Sequence, residues 1–275
     1  MSEDSILYEV KDKATVITLN VPSKLNALTQ EEYLELAKLV DEADKEEETV
    51  VTIIQATGRY FSAGANVTGG QLLNKPMAEL MSHEHWLALF VARNVYITDL
   101  FHNHSKVLVA SVNGPAVGLT AALVCLCDLI YVNDEEKFFL MTPFANLGLV
   151  TEGALSATLF MRLGWSKASE ALLLAKPIQG TDLLRLGVIN KSYRSYNFNS
   201  TEEFNEQVFK DVSDQISHLY YPSIIQMKQL LKANRDTLIN SANAREVIKG
   251  FNKWIQGIPQ QRFAAIANKE IKHKF

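Results

Sequence analysis

The chain has 275 residues with 27 basic and 31 acidic side chains, a formal net charge of −4. Apolar residues make up 47% of it, which excludes a disordered chain, and 13 Gly with 7 Pro excludes a collagen-like or linker-dominated one. The length suits one large domain or two small ones, with a core big enough to need no disulfide or metal. The mildly acidic balance argues against nucleic acid as a partner.

Met1-Ser2-Glu3-Asp4-Ser5 is acidic and polar, the opposite of a signal peptide. Residues 14–20, Ala-Thr-Val-Ile-Thr-Leu-Asn, are β-branched and alternating, a strand before the turn signal Pro22-Ser23-Lys24. Thr29 with Glu32 three residues on forms a capping box. It opens a helix with Tyr33, Leu36, Ala37 and Val40 at helical spacing. The acidic run 44–48 reads as a solvated helix end. Residues 50–56 form a near-continuous apolar strand, as in a sheet covered on both faces.

Beyond a glycine-bearing loop, one helix is expected over 76–105. A buried strand at 107–112, a helix over 118–125 and short strands at 129–132 and 137–141 follow. Alternating strand and helix imply an α/β fold with right-handed crossovers. Residues 153–187 read as helices, with Gly187 a C-terminal stop. The polar stretch 190–201 is the best boundary, dividing a core of residues 1–195 from a helical region, 196–275. Helices are expected over 201–219, from Pro222, from about Asp236 and after Pro259. The long one carries Leu238 and an apolar stripe of Val247, Ile248, Phe251, Trp254 and Ile255, which this chain or a neighbour must cover.

Cys125 and Cys127 read as buried free thiols of a reducing compartment. The apolar stretch 119–132 is too short to span a bilayer and is broken by Thr120 and Asp128. A soluble intracellular protein without membrane insertion is expected. The pairs His83/His85 and His102/His104 should diverge on a helix surface, so no metal site is expected. Trp86, Trp165 and Trp254 read as core or interface.

Two strand-to-helix junctions carry glycines: Gly58-Arg-Tyr-Phe-Ser-Ala-Gly64-Ala65-Asn66 and Asn113-Gly114-Pro-Ala-Val-Gly118-Leu119-Thr120. Glycine lets backbone approach a ligand closely, and helix starts leave N–H groups unpaired. Two such groups aimed at one point stabilise an oxyanion; a pair of tight turns is the plainer alternative. Neither junction has the glycine spacing of a dinucleotide or nucleotide phosphate loop.

These junctions, with Pro22-Ser-Lys-Leu-Asn-Ala-Leu28, Cys127-Asp-Leu-Ile-Tyr131 and Pro143-Phe-Ala-Asn-Leu-Gly-Leu149, resemble the crotonase (enoyl-CoA hydratase/isomerase) superfamily in order and spacing. The likeness covers roughly residues 5–195. It implies a crotonase-type β/α spiral core with a C-terminal helical trimerisation region, and acyl-CoA thioesters as substrate. A homotrimer or a dimer of trimers is implied too, with the apolar stripe of the tail at subunit contacts rather than on its own core.

Carried over by the resemblance, the backbone N–H groups of Ala65 and Leu119 form the oxyanion hole. Ala63, Gly64, Ala65, Asn66, Val67 and Leu119 line the substrate site, with Lys24, Ala27 and Leu28 along the CoA nucleotide. Lys24 would meet a phosphate or stay solvated. Asn66 departs from the aspartate common after this family's Gly-Ala.

Hydratases of the family use two glutamates, and here their positions hold Ala122 and Phe144, which handle no proton. A carboxylate occurs further on, in Leu149-Val-Thr-Glu152-Gly153. That placement resembles the Δ3,Δ2-enoyl-CoA isomerases, the fungal peroxisomal ones in particular, and makes Glu152 the catalytic acid/base. Its apolar neighbours would desolvate it and raise its pKa, while a helix start would pull the other way; an exposed helix-cap acid is the alternative. Asn94 would either support Glu152 or make an ordinary helix–helix hydrogen bond.

The implied enzyme moves a double bond of fatty-acid β-oxidation with no cofactor, CoA being part of the substrate. A non-catalytic acyl-CoA binder or scaffold, or dienoyl-CoA isomerisation, are the other readings. His273-Lys274-Phe275 has the basic-then-apolar form of a peroxisomal address without being Ser-Lys-Leu. Peroxisome, with its import receptor as a partner, is the expected location, otherwise the cytoplasm.

Overall fold

A computed structural model describes residues 4–66 and 75–271. Val67 and the terminal His273-Lys274-Phe275 lie outside the described residues. The chain opens with an antiparallel pair, β1 (Ile6–Lys11) and β2 (Ala14–Leu19), and α1 (Gln30–Lys45) follows. The capping box is formed: the Glu32 N–H donates to Thr29 Oγ1 at 3.2 Å and the Thr29 N–H to Glu32 Oε2 at 2.7 Å. Tyr33, Leu36, Ala37, Val40 and Ala43 make the buried stripe that docks this helix on the sheet. Asp44, expected in solvent, instead accepts from the Ser105 N–H and hydroxyl at 2.7 and 2.8 Å. It ties the helix end to the strand that follows Ser105.

After β3 (Val51–Ala56), the expected single helix over 76–105 is divided. It runs as α2 (Met77–Leu80), α3 (His83–Trp86), one π-helical turn at Leu87–Ala92 and α4 (Arg93–Asn103). Ser82 starts α3 by accepting from the His85 N–H at 3.1 Å. Then come β4 (Val107–Val112), β5 (Ala116–Val117), α5 (Leu119–Leu126), β6 (Leu129–Val132) and β7 (Phe139–Met141). The helical stretch predicted over 153–187 is α6 (Leu155–Leu173), kinked at Gly164, and α7 (Gly180–Arg185), with β8 (Ile178–Gln179) between them. Gly187 follows α7 at φ +72°, the left-handed stop its sequence position predicts.

Among the described residues the larger sheet runs β1-β2-β3-β4-β6-β9, β9 being Lys191–Ser192, and is parallel from β2 onward. Val51 and Ile53 of β3 pack toward Phe204 and Val208, whereas Ile54 and Ala56 join the cluster holding Leu36 and Val124. Both faces are covered, as the unbroken apolar runs require. A smaller sheet, β5-β7-β8, stands beside it. The tail is α8 (Thr201–Ile216), α9 (Tyr221–Ala233), α10 (Asp236–Ile255) and α11 (Ile258–Ala267).

Two sequence expectations are corrected here. The α10 stripe is covered mainly by this chain: Val247, Phe251 and Trp254 are buried, and Trp254 stacks on Trp86 with centroids 4.0 Å apart. Ile248 and Leu238 are left exposed. The His102 and His104 rings are also buried, where a helix surface was expected. Asp236 Oδ1 lies 2.9 Å from His102 Nε2, and the Thr52 hydroxyl meets His104 Nε2 at 2.8 Å. Burial pushes both imidazoles down to about 4, so they are neutral at pH 7.

Of the tryptophans, Trp86 and Trp254 are core and Trp165 is exposed. Cys125 and Cys127 are free and buried, and burial raises the Cys125 thiol to about 11. Among the described residues there is no His, Cys, Asp or Glu cluster able to hold a metal. None of their helices is long and apolar enough to cross a membrane.

Candidate active site

A cavity of about 450 Å³ opens where the two glycine junctions meet. Gly64 sits at φ +87°, and a Cβ there would lie 2.8 Å from the Val117 carbonyl oxygen, so the two loops pass at backbone contact. Gly118, at φ +65° and ψ −131°, turns β5 into α5. The loops are sewn together by Val117 N–H to Ser62 O at 3.0 Å and Ser62 N–H to Pro115 O at 3.2 Å, and Leu28 N–H to Gly64 O at 2.9 Å ties the 22–28 segment to the first of them. The Ser62 hydroxyl adds a bond to Asn26 O at 2.7 Å. At Ala65 and at Leu119, the first residue of α5, the backbone N–H has no acceptor among the described residues. A rigid pair of free donors on a cavity wall can meet a carbonyl oxygen that gains charge.

Glu152 lines the same cavity and is buried, which overturns the exposed-cap alternative. It stands before Gly153 and Ala154, both left-handed at φ +67° and +56°, and α6 starts at Leu155. A Cβ at Gly153 would come within 2.5 Å of the Ala122 Cβ, so glycine lets this turn lie directly on α5. Burial raises the carboxyl above the ordinary glutamate range, against the pull of the Arg93 charge and of a hydrogen bond from Asn94.

That bond decides between the two roles open to Asn94: its Nδ2 donates to Glu152 Oε2 at 3.0 Å. Arg93 in turn fixes the amide, donating through Nε and Nη2 to Asn94 Oδ1 at 2.9 and 2.6 Å. Its Nη1 donates to Gln30 Oε1, and the guanidinium lies 5.1 Å from the Tyr33 ring centre. The π-helical turn just before Arg93 sets the register that points both side chains inward.

Of the positions predicted to line the substrate site, the cavity brings together Ala63, Gly64, Ala65, Leu119 and Glu152. Lys24 is exposed at the end of a 3₁₀ turn, Ala27 is half-buried and Leu28 belongs to the core, and none of the three lines the cavity. Asn66 is also outside the lining; its N–H donates to Leu28 O at 2.8 Å. The far wall, which sequence reasoning missed, is aromatic: Trp86, Phe90, Phe144, Trp254 and Phe263. Trp254 and Phe263 come from the tail, so the tail is part of the site and not solely an assembly surface. Arg93 was missed as well, although a charge beside Asn94 inside Phe90-Val-Ala-Arg-Asn-Val was a visible signal.

Free backbone donors opposite one buried carboxyl, in an apolar cavity on an α/β spiral, define a protein of the crotonase fold. A solved enoyl-CoA hydratase/isomerase from Pseudoalteromonas atlantica superposes with a TM-score of 0.79 at 20% identity, covering 99% of this chain and 100% of that one. The chain belongs to the enoyl-CoA hydratase/isomerase family, whose model matches residues 9–247. It is 40% identical to the 3,2-trans-enoyl-CoA isomerase of Saccharomyces cerevisiae, over 98% of this chain and 97% of that protein. It is 38% identical to a Delta(3,5)-Delta(2,4)-dienoyl-CoA isomerase of Pyricularia oryzae, over 97% of each.

Asn94 and Arg93 both draw the Glu152 carboxyl toward its ionised form. Asn94→Ala and Arg93→Met should therefore each raise its pKa further. Carbon-13 titration of the carboxyl, assigned with Glu152→Gln, checks this; a lowered value in either variant contradicts the network.

Proposed function

We propose that this chain is a Δ3,Δ2-enoyl-CoA isomerase, converting 3-enoyl-CoA to 2-trans-enoyl-CoA in the β-oxidation of unsaturated fatty acids. The observation that carries this reading is the solitary carboxyl: among the described residues, Glu152 is the one Asp or Glu lining the cavity. The hydratase positions are the buried methyl of Ala122 and the ring of Phe144. A double-bond shift needs one group to take and return a proton, whereas hydration by two carboxylates needs a second.

In the proposed cycle the ionised Glu152 removes a proton from C2 of the 3-enoyl thioester. The electron pair moves onto the thioester oxygen, giving a dienolate held by the Ala65 and Leu119 N–H groups. The protonated Glu152 then delivers that proton to C4 as the electrons return, and the double bond ends between C2 and C3. The reaction is redox-neutral and draws on no cofactor. A raised pKa suits a group that must be base in one half and acid in the other. In this reading Lys24, Ala27 and Leu28 remain assigned along the CoA nucleotide, and Asn66 and Val67 to the substrate site.

Exposed apolar side chains support a homotrimer or a dimer of trimers: Trp165 and Leu173 on α6, and Leu230 and Leu231 on α9, are each more than 70% exposed. The peroxisome, reached through its import receptor, is the proposed location, and His273-Lys274-Phe275 the address.

Glu152→Gln should fold and bind acyl-CoA but isomerise 3-hexenoyl-CoA at least ~100-fold more slowly. Near-normal turnover would move the base elsewhere, and an inactive wild-type protein that binds CoA would make it a scaffold. A 3,5-dienoyl-CoA assayed alongside should be the poorer substrate, and a preference for it would favour the dienoyl reaction. Light scattering should give a trimer or its multiple at micromolar concentration; a stable monomer refutes the assembly. Deleting residues 273–275 should leave a fluorescently tagged protein in the cytosol of cells lacking any native partner copy, and unchanged peroxisomal import would refute the tripeptide as address.

A further inference from the structure

A second buried carboxylate stands behind the catalytic turn, and the proposed reaction does not use it. Glu246, on the buried face of α10, is 5% exposed. Its Oε1 accepts from the Ser156 N–H at 2.8 Å and from the Ser156 hydroxyl, while Oε2 has no hydrogen-bond partner among the described residues. Ser156 lies in the first turn of α6, a helix with no side-chain cap of its own. The Leu155 and Ala157 N–H groups find acceptors inside the turn, Glu152 O at 3.3 Å and Ala154 O at 3.0 Å, and Glu246 supplies the acceptor for the Ser156 N–H between them. The turn before α6 is one that side chains rarely adopt, because Ala154 holds a left-handed conformation at φ +56°. Something outside the turn must keep it in place.

Helix α10 reaches the other half of the site as well. One turn before Glu246, Asn243 Nδ2 donates to Val95 O at 3.3 Å, next to Asn94. One turn after it, Gly250 makes room for the Phe90 ring, whose Cζ would lie 2.6 Å from an added Cβ. A single face of α10 thus holds both segments whose side chains meet in the Asn94–Glu152 bond.

We propose that Glu246 is a positioning residue: from the tail helix it grips the start of α6 through Ser156 and so sets Glu152 against Asn94. This rests on the isomerase reading above for its catalytic consequence. Burial, and the charge of Glu152 facing it across the turn, push the Glu246 carboxyl up to about 7, although the Ser156 donors favour ionisation. Glu152 is the charged group that bears on it most. Arg93 is bonded to Asn94 and Gln30, Arg245 and Lys249 flank Glu246 on α10, and the neutral His102 ring on α4 lies against Asp236; none of these groups pairs with Glu246. The grip itself is geometric: a carboxyl oxygen takes both Ser156 donors at the first turn of α6.

The test compares full-length wild type with Glu246→Gln, which keeps the shape and an acceptor oxygen but cannot ionise, and with Ser156→Ala. In wild type the Asn94 side-chain amide resonances report the Asn94–Glu152 bond. In Glu246→Gln they should move from their wild-type positions, with kcat for 3-hexenoyl-CoA about tenfold lower and KM within about twofold. Ser156→Ala should move them in the same direction with a smaller loss of kcat. Asn94 resonances identical in wild type and both variants would overturn the proposal, as would a loss expressed in KM alone. Asn94 resonances that respond to Glu246→Gln in a wild-type background that does not isomerise the substrate would sink the reaction assignment and leave the positioning role standing.

Discussion

One carboxyl group taken out of water governs this molecule. An isolated carboxylate in an apolar interior is so unfavourable that it takes up a proton instead. Glu152 is held short of that limit by the Arg93 charge and the Asn94 amide, while burial keeps its pKa raised. Arg93 is itself drawn from solvent, and burial lowers its pKa in turn. Its cost is offset by the bonds to Asn94 and Gln30 and by the face of Tyr33. Charge, amide and ring thus form a chain from α1 through α4 to the turn before α6. Each link is needed because the next one is buried.

The backbone around this carboxyl obeys a different constraint, close approach. A donor pair is useful only if two loops from separate strands hold their N–H groups on one wall. Gly64 against Val117, and Gly118 turning into α5, allow that approach. The parallel register of β2, β3, β4 and β6 aligns the strand ends from which these loops leave. Burial of both sheet faces makes that platform rigid. The smaller sheet then closes one side of the cavity with Phe139 and Met141, and the tail closes another.

Much of this was legible in the sequence because it is local. The capping box at Thr29, the strand runs and the glycine junctions depend on neighbours within a few residues, and so does Gly187. The candidate acid was legible only through the resemblance: the positions of the family's hydratase glutamates hold Ala122 and Phe144, and Glu152 stands where its isomerases carry an acid. What escaped was long-range. Arg93 and Asn94 point inward because the predicted helix is divided and widened at Leu87–Ala92, and nothing in the residue pattern marks a π-helical turn. The stripe on α10 was visible, but periodicity cannot say whether it faces Trp86 of the same chain or a neighbouring subunit. His102 and His104 looked solvated because their partners, Asp236 and Thr52, are distant in sequence.

The missing hydratase carboxylate at position 122 follows from packing as much as from chemistry. The turn carrying Glu152 lies on α5 so closely that even a methyl group at Gly153 would collide with Ala122. A glutamate at 122 would have to occupy the space that Gly153 now fills, and the turn would lift away. Lifting it would move Glu152 from Asn94 and strip the carboxyl of the bond that keeps it ionisable inside the cavity. The small residue at 122 and the acid at 152 are therefore one structural choice. A chain that buries its acid on this turn gives up the room for a carboxylate beneath it.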